Sequence, residues 1–269
     1  MNQINMMKVS LSLIIAALLF WGPYSDFVPY SAYWSAHRDF WLWNFVYNNF
    51  ISIKYIIIAL CFLCLPTSRY TFIPVCSLAI LFGIFNWFCS VDSPGGLYNY
   101  NTHLNIFLVG LVLVLYIRNK SEKYSPDAEE KFFQFCQCYI LIFYLQSGIS
   151  KIFFAGTTWL MTGRTAWVFT LELGTDFGKL LAHYPLLFAV GSFLIVAFEI
   201  IILPLYLLKV WRRPLILGMV FLHLSVFAVM GISFWHMWLL YPIVFFKDLF
   251  PLWHKKKQPD FKPMQAPIT

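Results

Sequence analysis

The chain has 269 residues, of which 60% are hydrophobic, 20% aromatic and only 12% charged, with a mean hydropathy of +0.70. Its apolar residues come in long blocks, several approaching the ~20 residues that span a bilayer, so a soluble globular domain is excluded and an all-α, polytopic transmembrane helical bundle is expected. Barrel strands would instead show alternation over ~10 residues, and the net charge of +7 needs no nucleic-acid partner because most of it lies between the apolar blocks.

About eight spans are predicted, at residues 9–21, 44–65, 72–89, 103–117, 132–154, 186–208, 215–230 and 234–246. With Lys8 in the cytoplasm, Arg69, the loop bearing Arg118, Lys120, Lys123 and Lys131, the turn bearing Lys209, Arg212 and Arg213, and the C-terminal lysines all fall inside. Only Arg38, Arg164 and Lys179 fall outside, which satisfies the positive-inside rule with both termini cytoplasmic. The helical domain is expected over residues 1–254 and a basic, disordered tail over 255–269, whose Lys255, Lys256 and Lys257 face anionic headgroups. The first apolar block lacks a small-residue cleavage site before Gly22 and reads as a retained helix. Cys61 with Cys64 and Cys136 with Cys138 lie in apolar helices without histidine or acidic company, so they read as buried thiols and no metal is expected.

Ionisable residues inside the spans carry the functional signal, because a charge there is expensive unless it is paired, hydrated or functional. Lys151 lies near the outer end of the fifth span and His103 at the outer end of the fourth, so the two can share a site. Tyr144, Ser147, Gly148 and Ala155 share the helical face of Lys151, and the small residues among them let a neighbouring helix approach and surround the amine with protein. One reading makes Lys151 a desolvated general base; the other lets it snorkel to the interface from a position about one turn from the helix end. Glu199, in mid-span, is a counter-charge or proton relay, or a hydrogen bond that fixes packing. His103 and His223 are site residues or histidines bonded to backbone carbonyls. Lys54 and His236 also lie in the outer half, Lys54 about a turn beyond Asn48 and Asn49 in a sequence that suits a hydrated entrance. The loop over residues 155–185 carries Trp159, Trp167, Phe169 and Phe177, as an aromatic belt or a short interfacial helix that caps an outward cavity.

The run from Tyr144 through Gln146, Ser147, Gly148 and Lys151 to Ile152, followed by Trp159 and Gly163, resembles the signature of the HTTM family, which includes the transmembrane core of vitamin K-dependent gamma-glutamyl carboxylase. Asn101-Thr102-His103 resembles the opening of the family's preceding helix, Glu199 with Pro204 its acidic residue and proline, and His223 through Gly231, Ile232 and Phe234 its histidine helix. The resemblance implies a helical bundle in which Lys151 deprotonates a reduced quinone, vitamin K hydroquinone or menaquinol, with dioxygen and carbon dioxide as cosubstrates and His103 assisting. Glu199, His223, Tyr144 and Trp159 become supporting residues. Ser150 stands where the carboxylase has a second lysine, the uncharged residues 152–159 replace an acidic segment, and no large lumenal domain follows.

Two functions are therefore expected in parallel. The first is a carboxylase-like membrane enzyme that modifies a secreted or periplasmic peptide. The second is a non-enzymatic membrane factor for the maturation, export or immunity of such a peptide, acting with companion proteins as some bacterial members of the family do. The chain is placed in a bacterial cytoplasmic membrane, with lipid as a partner and no nucleic acid. A transporter is the least favoured class, since no inverted repeat or matching pair of broken helices is visible.

Overall fold

The structure is a computed structural model, and it describes residues 3–21, 24, 40–66, 71–92, 101–120, 126–153, 156, 161–232 and 235–251. Twelve helices and no strand are found among them. In chain order they are α1 (Gln3–Phe20), α2 (Trp41–Asn48), α3 (Phe50–Leu63), α4 (Phe72–Asp92), α5 (Thr102–Lys120), α6 (Pro126–Phe153), α7 (Arg164–Leu173), α8 (Asp176–Leu181), α9 (Pro185–Leu207), α10 (Arg212–Met230), α11 (Trp235–Val244) and α12 (Phe246–Leu249). Six of them, α1, α4, α5, α6, α9 and α10, are long and apolar enough to cross a membrane, which makes the chain a multi-pass membrane protein in outline.

Two predicted spans take a different form. The span expected over 44–65 is two helices, α2 and α3, bent by 78° at Asn49, and the pair would make a seventh crossing only if counted together. The break falls where the Asn49 backbone leaves the helical region (φ −113°, ψ 18°), and its N–H and its side-chain Nδ2 both donate to the Phe45 carbonyl, at 3.1 and 2.9 Å. The span expected over 234–246 is the ten-residue α11, followed by a turn at Phe245 and the short α12. Ten residues rise ~15 Å, half the ~30 Å hydrocarbon core.

The chain divides into two compact units, residues 1–136 and 137–269. In the first, α4 packs on α3 and α5, and α1 on α3 and α5. Its core is aromatic: the Phe50 and Phe85 rings stack at 4.9 Å, and Trp43 meets Trp87 edge-on at 5.5 Å. Polar ties hold its helices where lipid offers none. Tyr24 donates to Asn86 Oδ1, Asn101 Nδ2 donates to the Tyr24 hydroxyl at 3.0 Å, and Lys54 Nζ to the Tyr24 carbonyl at 3.1 Å. Lys8, expected just before the first span, lies within α1, where it is buried and donates to the Pro66 carbonyl and, at 3.3 Å, to Thr71 Oγ1. Its long stem lets the ammonium reach the α3–α4 connection from inside the helix.

In the second unit, α9 packs on α7 and α10, and α8 on α10. The Thr175 side chain caps α8 by accepting from Gly178 N at 3.0 Å, and its hydroxyl donates to the Ala228 carbonyl at 2.5 Å, which fixes α8 against the end of α10. Phe221, Leu224 and Phe227 on α10 are exposed, as befits a face that meets acyl chains.

Candidate functional site

Within the second unit, α6 carries one polar stripe. Tyr144, Ser147 and Lys151 recur at spacings of three and four residues, which stacks them on one face of the helix. Gly148, on the same face, lets α9 come close: a Cβ there would stand 3.0 Å from Glu199 Cβ and 3.0 Å from Ile200 Cγ1. This approach brings Glu199 to Lys151.

Lys151 Nζ donates to both carboxylate oxygens of Glu199, at 2.5 and 2.6 Å, and to Ser147 Oγ at 2.9 Å. Ser147 in turn donates to Glu199 Oε1 at 3.2 Å. The partners are unequally covered, with side-chain exposure of 24% for Lys151 and 6% for Glu199. A carboxylate buried that deeply needs a counter-charge and hydrogen bonds, and it has both. The lysine is the half of the pair that a ligand can reach.

Two turns back along α6 from Lys151, Tyr144 joins a second cluster. Its hydroxyl lies 2.6 Å from His223 Nε2 on α10 and 2.8 Å from the Tyr241 hydroxyl on α11, and His223 Nε2 and Tyr241 Oη are 3.0 Å apart. The three groups close a triangle in which the tautomer of His223 sets whether Nε2 donates to a phenol oxygen or accepts from a hydroxyl. Both tyrosines are buried. Tyr241 was not singled out from the sequence; the available signal was a phenol in an apolar helix, which must find a partner there.

The residues over 164–181, read from sequence as an aromatic belt or a capping helix, form two short helices, α7 and α8. Trp167 Nε1 donates to the Ala182 carbonyl at 2.8 Å and closes this pair on itself. Gly163, before α7, has φ of +59° and lies so near α9 that a Cβ would fall 2.3 Å from Phe188 backbone atoms, so only glycine fits. Between α7, α8, α9 and α10 is an apolar cavity of about 180 Å³ lined in part by Phe188, Ser192, Ile195 and Val229. Ser192 and Glu199 are seven residues apart on α9, two turns along one face, so the cavity lies ~10 Å along α9 from the ion pair.

The structure thus unites Lys151 with Glu199 and Tyr144 with His223. His103 belongs to the first unit, where it is buried and its ring centroid lies 6.1 Å from that of Phe107. Trp159, Ala155 and the tail 255–269 lie outside the described residues. No group of three histidine, cysteine or acidic side chains that could hold a metal occurs among the described residues.

Fold and site together define a multi-pass helical membrane protein with a partly open lysine–glutamate pair between two helices long and apolar enough to cross a membrane. In comparisons with known proteins, no protein-family model, no curated protein and no solved structure matches the chain.

Proposed function

We propose that the chain is an HTTM-like membrane enzyme in which Lys151 acts as general base toward a reduced quinone drawn from the lipid, initiating an oxygen-dependent modification, carboxylation if it follows the carboxylase, of a secreted or periplasmic peptide. The proposed setting is a bacterial cytoplasmic membrane, with about eight passes, both termini inside and Lys151 toward the outer face. The observation that carries this reading is the Lys151–Glu199 pair with its exposed side at the amine.

The pair suits proton acceptance at Nζ. Within it, one proton can pass from the ammonium to the carboxylate, leaving a neutral amine beside a neutral acid. The amine next forms an N–H bond with a proton taken from a substrate O–H, and Lys151 ends as an ammonium beside protonated Glu199. Ser147 holds the amine in place throughout. A reduced quinone would supply the acidic O–H and the electrons for reaction with dioxygen. The apolar cavity of about 180 Å³, ~10 Å along α9 from the pair, suits an apolar part of the substrate remote from the reacting O–H. The family resemblance also gives His103 a part in the dioxygen or carbon dioxide chemistry.

A second reading is supported by a specific feature of the same pair. A lysine ammonium has three donors, and Ser147 and the two Glu199 oxygens accept from Lys151 in three bonds, so the amine can act as a clip that joins α6 to α9 in a non-enzymatic maturation, export or immunity factor. Coexpression with a candidate secreted peptide separates the two. Lys151→Ala and Lys151→Arg, both confirmed to insert and accumulate, should leave the peptide unmodified by mass, because Arg keeps the charge but does not deprotonate a substrate. A peptide modified normally by Lys151→Arg would favour the clip.

A further inference from the structure

Two adjacent residues of α9, Gly191 and Ser192, are not accounted for by the packing of the helix. Gly191 lies inside α9, where glycine weakens a helix relative to alanine. Gly148 and Gly218 offset that loss by admitting a neighbour, since a Cβ would stand 3.0 Å from Glu199 Cβ in the first case and 2.9 Å from the Phe198 ring in the second. A Cβ on Gly191 meets nothing within 4 Å. Ser192 is 3% exposed, yet it makes no hydrogen bond among the described residues. Ser12, Thr170 and Ser225 each donate to the carbonyl four residues back, at 2.9, 2.7 and 2.7 Å, the ordinary outlet for a hydroxyl on a helix. A buried hydroxyl without a partner is costly, so Ser192 points to a partner supplied from outside the chain.

Gly191 and Ser192 both line the cavity of about 180 Å³ between α7, α8, α9 and α10. Ala166 and Leu181 bound it from α7 and α8, and among the described residues no ionisable side chain lines it. Its second hydroxyl, that of Ser225 on α10, has its proton engaged by the Phe221 carbonyl and can only accept. This lining selects the occupant. A hydrocarbon chain leaves the Ser192 proton unmet, and an ionised headgroup finds no counter-charge. A peptide brings a donor and an acceptor with each residue, more than two hydroxyls can answer. A single hydroxyl on an apolar body accepts from Ser192 and has Ser225 as an acceptor for its own proton.

We propose that this cavity binds a neutral, apolar alcohol dissolved in the bilayer, with its hydroxyl held by Ser192 and its carbon skeleton in the space that Gly191 leaves open. Apolar pockets with a few placed polar groups fix a ligand's orientation in this way. The assignment adds one oxygen, at the level of Ser192, to whatever occupies the cavity, and it stands whether Lys151 acts as a base or as a clip.

The test places the full chain in phosphatidylcholine nanodiscs with one of two photoreactive probes, a diazirine-bearing octanol or a diazirine-bearing octane. Adducts are mapped by peptide mass and normalised to those on Ile73 and Ile80, which are exposed on α4. The octanol should label residues 187–195 and 225–230 about threefold more than the octane, the factor to which ~0.6 kcal/mol for a hydrogen bond in a membrane amounts. Ser192→Ala should remove that preference and leave octane labelling unchanged. Gly191→Leu, whose side chain enters open space, should abolish cavity labelling by both probes. Labelling needs no turnover, so its failure leaves the role of Lys151 untouched, and an inactive Lys151 leaves the labelling as it is. Equal labelling by the two probes in the unaltered chain, as when water meets the Ser192 hydroxyl, would overturn the proposal. So would a preference that survives Ser192→Ala, or cavity labelling that survives Gly191→Leu.

Discussion

Lys151 and Glu199 meet through both carboxylate oxygens, at 2.5 and 2.6 Å, although 48 residues separate them in the chain. The contact joins the end of α6 to the middle of α9, and α9 also packs on α7. An apolar cavity lies ~10 Å along α9 from this charged pair.

Glu199→Leu leaves the Lys151 ammonium without its counter-charge. Breaking a buried pair costs about 3–5 kcal/mol, and the partial exposure of Lys151 lowers the expected loss to about 2 kcal/mol. The double variant Lys151→Met/Glu199→Leu removes both charges and should regain most of that stability. Unfolding in detergent titrations of the single and double variants checks this; a double variant no better than Glu199→Leu would mean that the two charges do not compensate each other.

Gly148→Val should separate α6 from α9. Its Cβ would already press on Glu199 and Ile200 at 3.0 Å, and its two methyl groups have nowhere to go without a shift of the helices. A loss of about 1–3 kcal/mol is expected. Crosslinking between cysteines introduced at positions 147 and 199 should fall with it, while unchanged crosslinking would show that the helices yield without parting.

In the Tyr144–His223–Tyr241 triangle the shortest link is Tyr144 to His223, at 2.6 Å, and Tyr241 adds the outer two sides. Tyr241→Phe should therefore cost about 0.6 kcal/mol, the typical worth of a hydrogen bond between membrane helices, and Tyr144→Phe more, because it removes the shared hydroxyl. Thermal unfolding of the two variants in the same detergent should rank them in that order; the reverse order would show that Tyr241 is the principal partner.

Lys8→Met keeps the stem of a buried side chain and removes the donor to the Pro66 carbonyl and Thr71. A loss of about 1–3 kcal/mol is expected from the acceptors left without it. Proteolysis at the α3–α4 connection should accelerate in Lys8→Met; an unchanged rate would show that the lysine does not hold this connection.

The residues that were legible in the sequence share one property: each breaks an apolar background. Lys151 and Glu199 stand out because charge in a span is rare, and the spacing of Tyr144, Ser147 and Lys151 fixes their common face. The break at Asn49 was hidden because hydrophobicity continues on both sides of it, and one residue's departure from helical backbone angles leaves no trace in hydropathy. Lys8 read as a flank because hydropathy registers a charge and not the length of the stem that carries it inward. Tyr241 escaped notice because its ring belongs in an apolar helix and only its hydroxyl needs company. Pairings such as Tyr144 with His223 depend on which helices become neighbours, and periodicity within one helix does not contain that information.

Quinol-dependent oxygen uptake by the purified full chain in nanodiscs bears most directly on the role of Lys151. With menaquinol or vitamin K hydroquinone supplied, uptake above the protein-free rate is expected for the unaltered chain, and background uptake for Lys151→Arg even though that variant retains positive charge opposite Glu199. Uptake by Lys151→Arg equal to that of the unaltered chain, or no uptake by either with both quinols, would contradict a proton-accepting lysine at this site.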